Sequence, residues 1–175
     1  TLTNLPHNMA LHRFDPSDLE AALMGHNQAL DMSRADIEAL IERTELQAYQ
    51  RMASKLTCAR IMTPRVRTIE PRTQLSIAVA SLLKYDIKAL PVIDDDKHVI
   101  GLLRLEDAEK ADPSIRAGQI MVRDYATARP NDPATVLLGL LSDDTQRHVL
   151  ILDDNNRLVG MVSKSDLMRA LFHAD

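Results

Sequence analysis

IMTPRVRTIEPRTQLSIAVASLLKYDIKALPVIDDDKHVIGLLRLEDAEKA, residues 61–111, is matched element for element by IMVRDYATARPNDPATVLLGLLSDDTQRHVLILDDNNRLVGMVSKSDLMRA, residues 120–170. The shift is 59 residues and needs no gap. Ten of the 51 aligned pairs are identical, among them Ile61/Ile120, Met62/Met121, Pro71/Pro130, Asp94/Asp153, Gly101/Gly160 and Asp107/Asp166. These identities fall at turns and element ends, so the order of elements is itself what repeats.

In the first copy, Val66 to Ile69 reads as a short strand, and Thr73 then caps a helix with Leu75, Val79 and Leu82 on its apolar face. The second copy offers Asp132 as N-cap and Pro133 as first helical residue, ahead of Ala134, Leu138 and Leu141. Two apolar runs joined by an acidic turn follow in each copy: Ala89 to Ile93 with Val99 to Leu103, and His148 to Leu152 with Leu158 to Val162. Runs this uniformly apolar predict buried hairpin strands. A short helix closes each copy, near Glu106 to Ala111 and Ser165 to Phe172. A unit of about 50 residues is too small to bury a comfortable core alone, so the two are expected to pack on each other.

Upstream, Asp15 and Pro16 open a helix that Gly25 ends, and Ser33 with Asp36 opens a longer one to about Ala53. Ile37, Leu40, Ile41, Ala48 and Met52 give that helix one apolar side. The expected organisation is a helical linker over 1–57, repeat 1 over 58–114 and repeat 2 over 115–175. The fold class is α/β (α+β): two strand-helix-strand-strand-helix repeats about a pseudo-two-fold axis.

Composition narrows the function. The 175 residues are 45% hydrophobic and 26% charged, which suits a globular chain. Three Tyr, two Phe and no Trp leave no platforms on which single-stranded nucleic acid would stack. A net charge of −4 without a basic cluster argues against a duplex-binding surface, so no nucleic-acid partner is expected. The one cysteine, Cys58, forms no internal disulfide and fits a reducing, cytoplasmic setting. It lacks a His and acid arrangement for nucleophilic work and reads as a buried structural thiol. His7, His12 and His26 lack metal-ligand spacing, and the turns Asp94-Asp95-Asp96 and Asp153-Asp154-Asn155-Asn156 lack the spaced ligands of a calcium loop. No metal, catalytic residue or enzymatic reaction is expected.

The Leu90-Pro91-Val92-Ile93-Asp94 stretch and the endings Gly101-Leu102-Leu103-Arg104-Leu105-Glu106-Asp107 and Gly160-Met161-Val162-Ser163-Lys164-Ser165-Asp166 resemble CBS domains over residues 58 to 173. The second ending is similar to that family's nucleotide signature of Gly, two apolar residues, Ser or Thr, two variable residues and Asp. In the first, Arg104 stands where Ser or Thr is usual. The linker, from Asp18-Leu19-Glu20 to Cys58-Ala59-Arg60-Ile61-Met62, resembles the one ahead of CBS pairs in HPP-family membrane proteins. That likeness implies the cytosolic part of an inner-membrane protein; a free-standing cytosolic relative is the other form it allows.

The resemblance implies a regulatory module, a homodimer, that binds an adenine nucleotide (AMP, ADP or ATP), NAD or S-adenosylmethionine between its repeats. Asp166 and Asp107 stand where a buried strand turns into a helix, and a carboxylate there can accept both hydroxyls of a ribose. Ser163 and Ser165 lie at a helix start, which favours phosphate. The plainer reading makes the serines caps and Asp166 a dipole partner. By position, Arg147, His148 and Arg104 would surround phosphates at the Asp107 site and Lys88 would serve the Asp166 site, with adenine against the backbone near 60–64 and 119–123. The rival is a ligand-free dimerisation scaffold, supported by Arg104 and by Leu150 in place of Pro91.

Overall fold

The computed structural model describes residues 34–142 and 144–172; the expected helix from Asp15 to Gly25, the Ser33 cap and His7, His12 and His26 lie outside them. The described elements are α1 (Arg34–Ser54), α2 (Cys58–Ile61), β1 (Thr63–Pro64), α3 (Leu75–Lys84), β2 (Ala89–Ile93), β3 (Val99–Arg104) and α4 (Leu105–Ala108). There follow α5 (Ala117–Ile120), β4 (Ala126–Ala128), α6 (Ala134–Leu141), β5 (His148–Leu152), β6 (Leu158–Ser163) and α7 (Lys164–Phe172). The α/β pair of repeats with a helix ahead of it is the fold expected from the sequence.

Both hairpins form where their apolar runs predict, β2 against β3 and β5 against β6, each antiparallel. Their acidic turns have a structural task. Asp94 Oδ1 accepts the N–H groups of Asp96 and His98 at 3.0 and 2.9 Å, and Asp153 Oδ1 accepts those of Asn155 and Arg157 at 2.8 and 3.0 Å. Lys97 and Asn156 complete the turns at positive φ, 70° and 59°.

The repeats exchange their leading segments. Cys58 and Ala59 donate their N–H groups to the carbonyls of Asp132 and Pro130, and the matching Ala117 and Gly118 donate to Thr73 and Pro71, all at 2.9 Å. β1 then pairs with β6 of the second repeat, Thr63 opposite Met161, while Val122 bridges to Leu102 in β3 of the first. Cys58, Ile61 and Met62 accordingly pack in the repeat 2 core with Leu137, Ile151 and Leu167, and Ala117, Ile120 and Met121 pack in the repeat 1 core with Leu75, Leu90 and Leu103. A third cluster, Ala89, Leu102 and Leu150, joins the two hairpins.

This exchange corrects the expected helix starts. Neither Thr73 nor Asp132 is an N-cap, and Pro133 is not the first helical residue; α3 begins at Leu75 and α6 at Ala134. The first helical N–H groups are already bonded, Leu75 to Ile115 O and Ala134 to Leu56 O, both at 2.8 Å, so the other repeat's leader replaces a side-chain cap. Thr73 Oγ1 and Asp132 Oδ2 instead accept from Glu70 and Arg129, closing the turn before each helix.

The expected strand from Val66 to Ile69 is reduced to one bridge, Ile69 to Val92, whereas β4 pairs with β5 over three residues. Pro91 explains the difference: its carbonyl accepts from Ile69 at 3.0 Å, but it has no N–H for the next rung, which Leu150 retains in repeat 2. The first closing helix is also shorter than expected, ending at Ala108.

Each repeat's glycine receives the methionine of the exchanged segment. A Cβ on Gly101 would lie 2.7 Å from Met121 Cγ, and one on Gly160 equally close to Met62 Cγ. Gly160→Ala is therefore expected to cost about 1–3 kcal/mol through overpacking. In denaturant unfolding, Met62→Ala in the same chain should recover part of that loss, with a coupling energy of about 0.5–3 kcal/mol; strictly additive losses would show that Met62 does not sit over Gly160.

Candidate functional site

The strand-to-helix junctions hold the candidate carboxylates, and each is pinned from its own repeat: Lys164 N–H donates to Arg147 O at 3.0 Å and Leu105 N–H to Lys88 O at 2.9 Å. In repeat 2 the Ser163 N–H donates to Asp166 Oδ2 at 2.9 Å while the Asp166 N–H donates to Ser163 Oγ at 3.1 Å. This reciprocal pair caps α7 and turns the Asp166 carboxylate back towards the junction. Its second oxygen, Oδ1, has the Arg169 guanidinium 3.6 Å away, and the side chain is 24% exposed. The plainer reading of Ser163 is therefore realised, and each Asp166 oxygen has a partner, Oδ2 the Ser163 N–H and Oδ1 the Arg169 guanidinium. Ser165 is exposed on the first turn of α7.

Repeat 1 departs from this pattern. Arg104, aligned with Ser163, donates from Nε to Asp107 Oδ2 at 2.6 Å, with Glu106 Oε1 at 3.7 Å. The hydrogen bond to Asp107 raises the guanidinium pKa further. One oxygen of the Asp107 carboxylate is thus engaged by a side chain of its own repeat, where the matching oxygen of Asp166 takes the Ser163 N–H.

His148 lies directly across from Ser163 in the β5–β6 ladder. Burial pushes its pKa down; Asp166 and Glu106 oppose this and Arg147 and Arg104 reinforce it. The structure thus gathers His148, Asp166, Arg147, Arg104 and Glu106 into one electrostatic neighbourhood spanning both junctions. Arg147 is exposed there. Lys88 is exposed at its own junction, and no described hydrogen bond or ion pair joins it to Asp166. The leading segments at 60–64 and 119–123 run beside β6 and β3 respectively, so the first borders the Asp166 junction and the second the Asp107 junction. Arg169 and Glu106 were not singled out in the sequence; the i+3 spacing of Arg169 from Asp166 is the signal that would have found the first.

Two further groups bear on chemistry. Cys58 is fully buried, and burial with the Asp132 carboxylate pushes its thiol up to about 11, the opposite of an activated nucleophile. Asp94, Asp96 and His98 offer ligand atoms within 4.8 Å of one another, but Asp94 is occupied in closing its turn. Among the described residues no helix is long and apolar enough to cross a membrane.

Two pseudo-symmetric hairpin-and-helix repeats with exchanged leaders and an acid at each strand-to-helix junction define a paired-repeat α/β architecture. The chain belongs to the CBS domain family: the family profile described as CBS domain matches residues 58–113 and 117–173. An uncharacterized 17.7 kDa protein of Acidianus ambivalens is 28% identical over 124 residues, covering 69% of this chain and 74% of its own length. The inosine-5'-monophosphate dehydrogenase of Thermoplasma acidophilum is 26% identical over 145 residues, 80% of this chain but only 29% of the enzyme. The solved CBS domain pair of protein MJ0100, in complex with 5-methylthioadenosine and S-adenosyl-L-methionine, is 25% identical with a TM-score of 0.61, covering 65% of this chain and 98% of that one. The HPP-type linker finds no support among these relatives.

The lowered His148 pKa fixes a pH dependence. The unfolded chain takes up the proton more readily, so stability from the neutral imidazole is present above about pH 6.5 and is lost as pH falls through the folded pKa. Wild type should lose more stability than His148→Gln between pH 7 and pH 5 in denaturant melts; parallel losses would show that His148 titrates as a solvent-exposed group.

Proposed function

We propose that this CBS pair is a regulatory, ligand-sensing module, paired as a homodimer, that takes an adenine nucleotide or S-adenosylmethionine at the Asp166 junction. The observation that carries the reading is the Asp166 carboxylate, held by the Ser163 cap beside the exchanged segment Thr63–Pro64, whose Oδ1 takes no described hydrogen bond and has only the exposed Arg169 guanidinium at 3.6 Å. That oxygen accepts from the ribose hydroxyls, the start of α7 with Ser163 and Ser165 faces the phosphates or the methionine part, and Arg147 and His148 flank them. The adenosyl ligands of the MJ0100 pair support the class.

The two junctions differ in this reading. Arg104 donates to Asp107 Oδ2, so one ligand binds per chain; Lys88, expected from the sequence to serve the Asp166 site, borders the Asp107 junction instead, and Arg147 and His148, expected at the Asp107 site, border the Asp166 junction. Ligand draws together the leader of repeat 1 and the helix of repeat 2, and α1, packed on the repeat 2 core through Ala53, Tyr49 and Met52, passes the shift to an attached effector. Attachment to an inner-membrane protein on its cytosolic side rests on the linker resemblance alone. The rival scaffold reading takes the Arg104–Asp107 pair as the sign that both junctions have lost their ligands.

Titration calorimetry with AMP, ATP and S-adenosylmethionine tests the site. One of these should bind wild type at one per chain, and Asp166→Ala should weaken it about ten-fold to hundred-fold, as for hydrogen bonds to a charged acceptor. Loss of the cap should separately cost about 0.5–2 kcal/mol of stability. A variant that melts lower yet binds as tightly as wild type would leave Asp166 a cap only, and no binding of any of the three would favour the scaffold.

A further inference from the structure

His148 has no titratable counterpart in repeat 1. It stands directly opposite Ser163 in the β5–β6 ladder, whereas the matching pair in the β2–β3 ladder is Ala89 and Arg104. Repeat 1 therefore carries its charge at this rung as a guanidinium, which keeps its proton at any physiological pH. Repeat 2 carries an imidazole, the side chain whose ordinary pKa lies between pH 5 and 8. Directly opposed residues of an antiparallel pair hold their Cβ atoms about 4.5–5.5 Å apart on one face. The half-buried imidazole thus shares a face with Ser163, whose Oγ accepts the Asp166 N–H at 3.1 Å. A phosphate seated at the start of α7 comes within reach of that ring.

The charges around the ring are in balance while it is neutral. Asp166 on α7 and Glu106 on α4 favour the imidazolium, and Arg147 at the foot of β5 and Arg104 at the end of β3 oppose it. β4 and α6, which also pack against β5, carry no charged residue. Lys164 turns to Asp144 Oδ1 at 3.4 Å, Arg169 lies against Asp166, and Asp107 is paired with Arg104. A proton on His148 is therefore uncompensated, and burial keeps the ring neutral. A phosphate group brings about one and a half to two negative charges and tips that balance towards the imidazolium. S-adenosylmethionine does not, since it sets a sulfonium and an ammonium against one carboxylate.

We infer that ligand binding at the Asp166 junction is proton-coupled: an adenine nucleotide draws a proton onto His148, so pH sets the preference of the site between phosphate-bearing and sulfonium-bearing ligands. This rests on the Asp166 reading and adds how that site is regulated. Linkage fixes the sign. Between the pH at which the free ring protonates and the higher pH at which the ring beside a phosphate does, binding takes up a proton. Nucleotide affinity then rises as pH falls, by at most about ten-fold per pH unit. Affinity for S-adenosylmethionine gains nothing over the same range.

Titration calorimetry of the whole chain with AMP, ATP and S-adenosylmethionine near pH 7, in two buffers of different ionisation enthalpy, counts the protons. A phosphate has its own second pKa of about 6, so His148→Gln supplies the reference. Wild type should take up more protons per bound nucleotide than the variant, by up to about one, and between about pH 8 and pH 6.5 its nucleotide affinity should gain about three-fold or more on that of the variant. S-adenosylmethionine should show neither effect. Proton NMR of wild type serves if His148→Gln misfolds or no longer binds nucleotide: the midpoint of the assigned His148 ring signal should rise by about one pH unit or more on saturation with nucleotide. Equal proton counts in the two proteins, or a midpoint that nucleotide does not move, overturns the coupling and leaves the junction a binding site. Binding of S-adenosylmethionine with no binding of AMP or ATP also overturns the coupling alone. No binding of any of the three ends the site reading and the coupling together.

Discussion

Four backbone hydrogen bonds decide how this chain is put together: Cys58 to Asp132, Ala59 to Pro130, and their mirror pair Ala117 to Thr73 and Gly118 to Pro71. Each ties the leader of one repeat to the helix start of the other. Because the bonded groups are main-chain, the arrangement tolerates sequence divergence between the copies, and only ten of 51 aligned residues need remain identical for it to persist. The surviving identities sit where side chains matter to the exchange: Met62 and Met121 over Gly160 and Gly101, and Pro71 and Pro130 in the turns that receive the leaders. A core too small in one repeat becomes adequate when each borrows a segment from its neighbour.

The same symmetry makes the differences between the junctions informative. At one, a serine caps the helix with its hydroxyl and gives its N–H to the aspartate; at the other, an arginine side chain donates to the same aspartate oxygen. A short hydroxyl can satisfy only the nearby N–H, whereas a guanidinium three residues before a carboxylate is long enough to neutralise it. One substitution is enough to make two copies of a junction unequal without disturbing the strand or the helix around it.

The hairpins and the run of repeated elements were legible because uniformly apolar runs of five or six residues, bounded by acidic turns, have few other ways to fold. The candidate acids were legible from their place at the end of such a run. What could not be read was anything that depends on the partner repeat. Thr73 and Asp132 have the chemistry of N-caps, and nothing local reveals that Ile115 O and Leu56 O already hold the helix N–H groups. The shortened strand before Ile69 was in principle readable from Pro91, since a residue without an N–H cannot complete a parallel ladder. The engagement of Asp107 by Arg104 was likewise implicit in their i, i+3 spacing, but direction and distance are properties of the folded junction. The uneven coverage of the two repeats by α1 follows from tertiary packing, which no periodicity encodes.

The exchange also sets an order for folding during synthesis. Thr63 pairs with Met161, 98 residues further along the chain, and Cys58 waits for Asp132. Elongation at about 5–20 residues per second leaves β1 without its partner strand for roughly 5–20 s after it is made. Over the same interval the first repeat can finish its own sheet only once Val122 has been added. A nascent chain therefore carries an apolar leader around Ile61 and Met62 whose burial must await the last hairpin, and its folding is governed by long-range closure more than by helix formation.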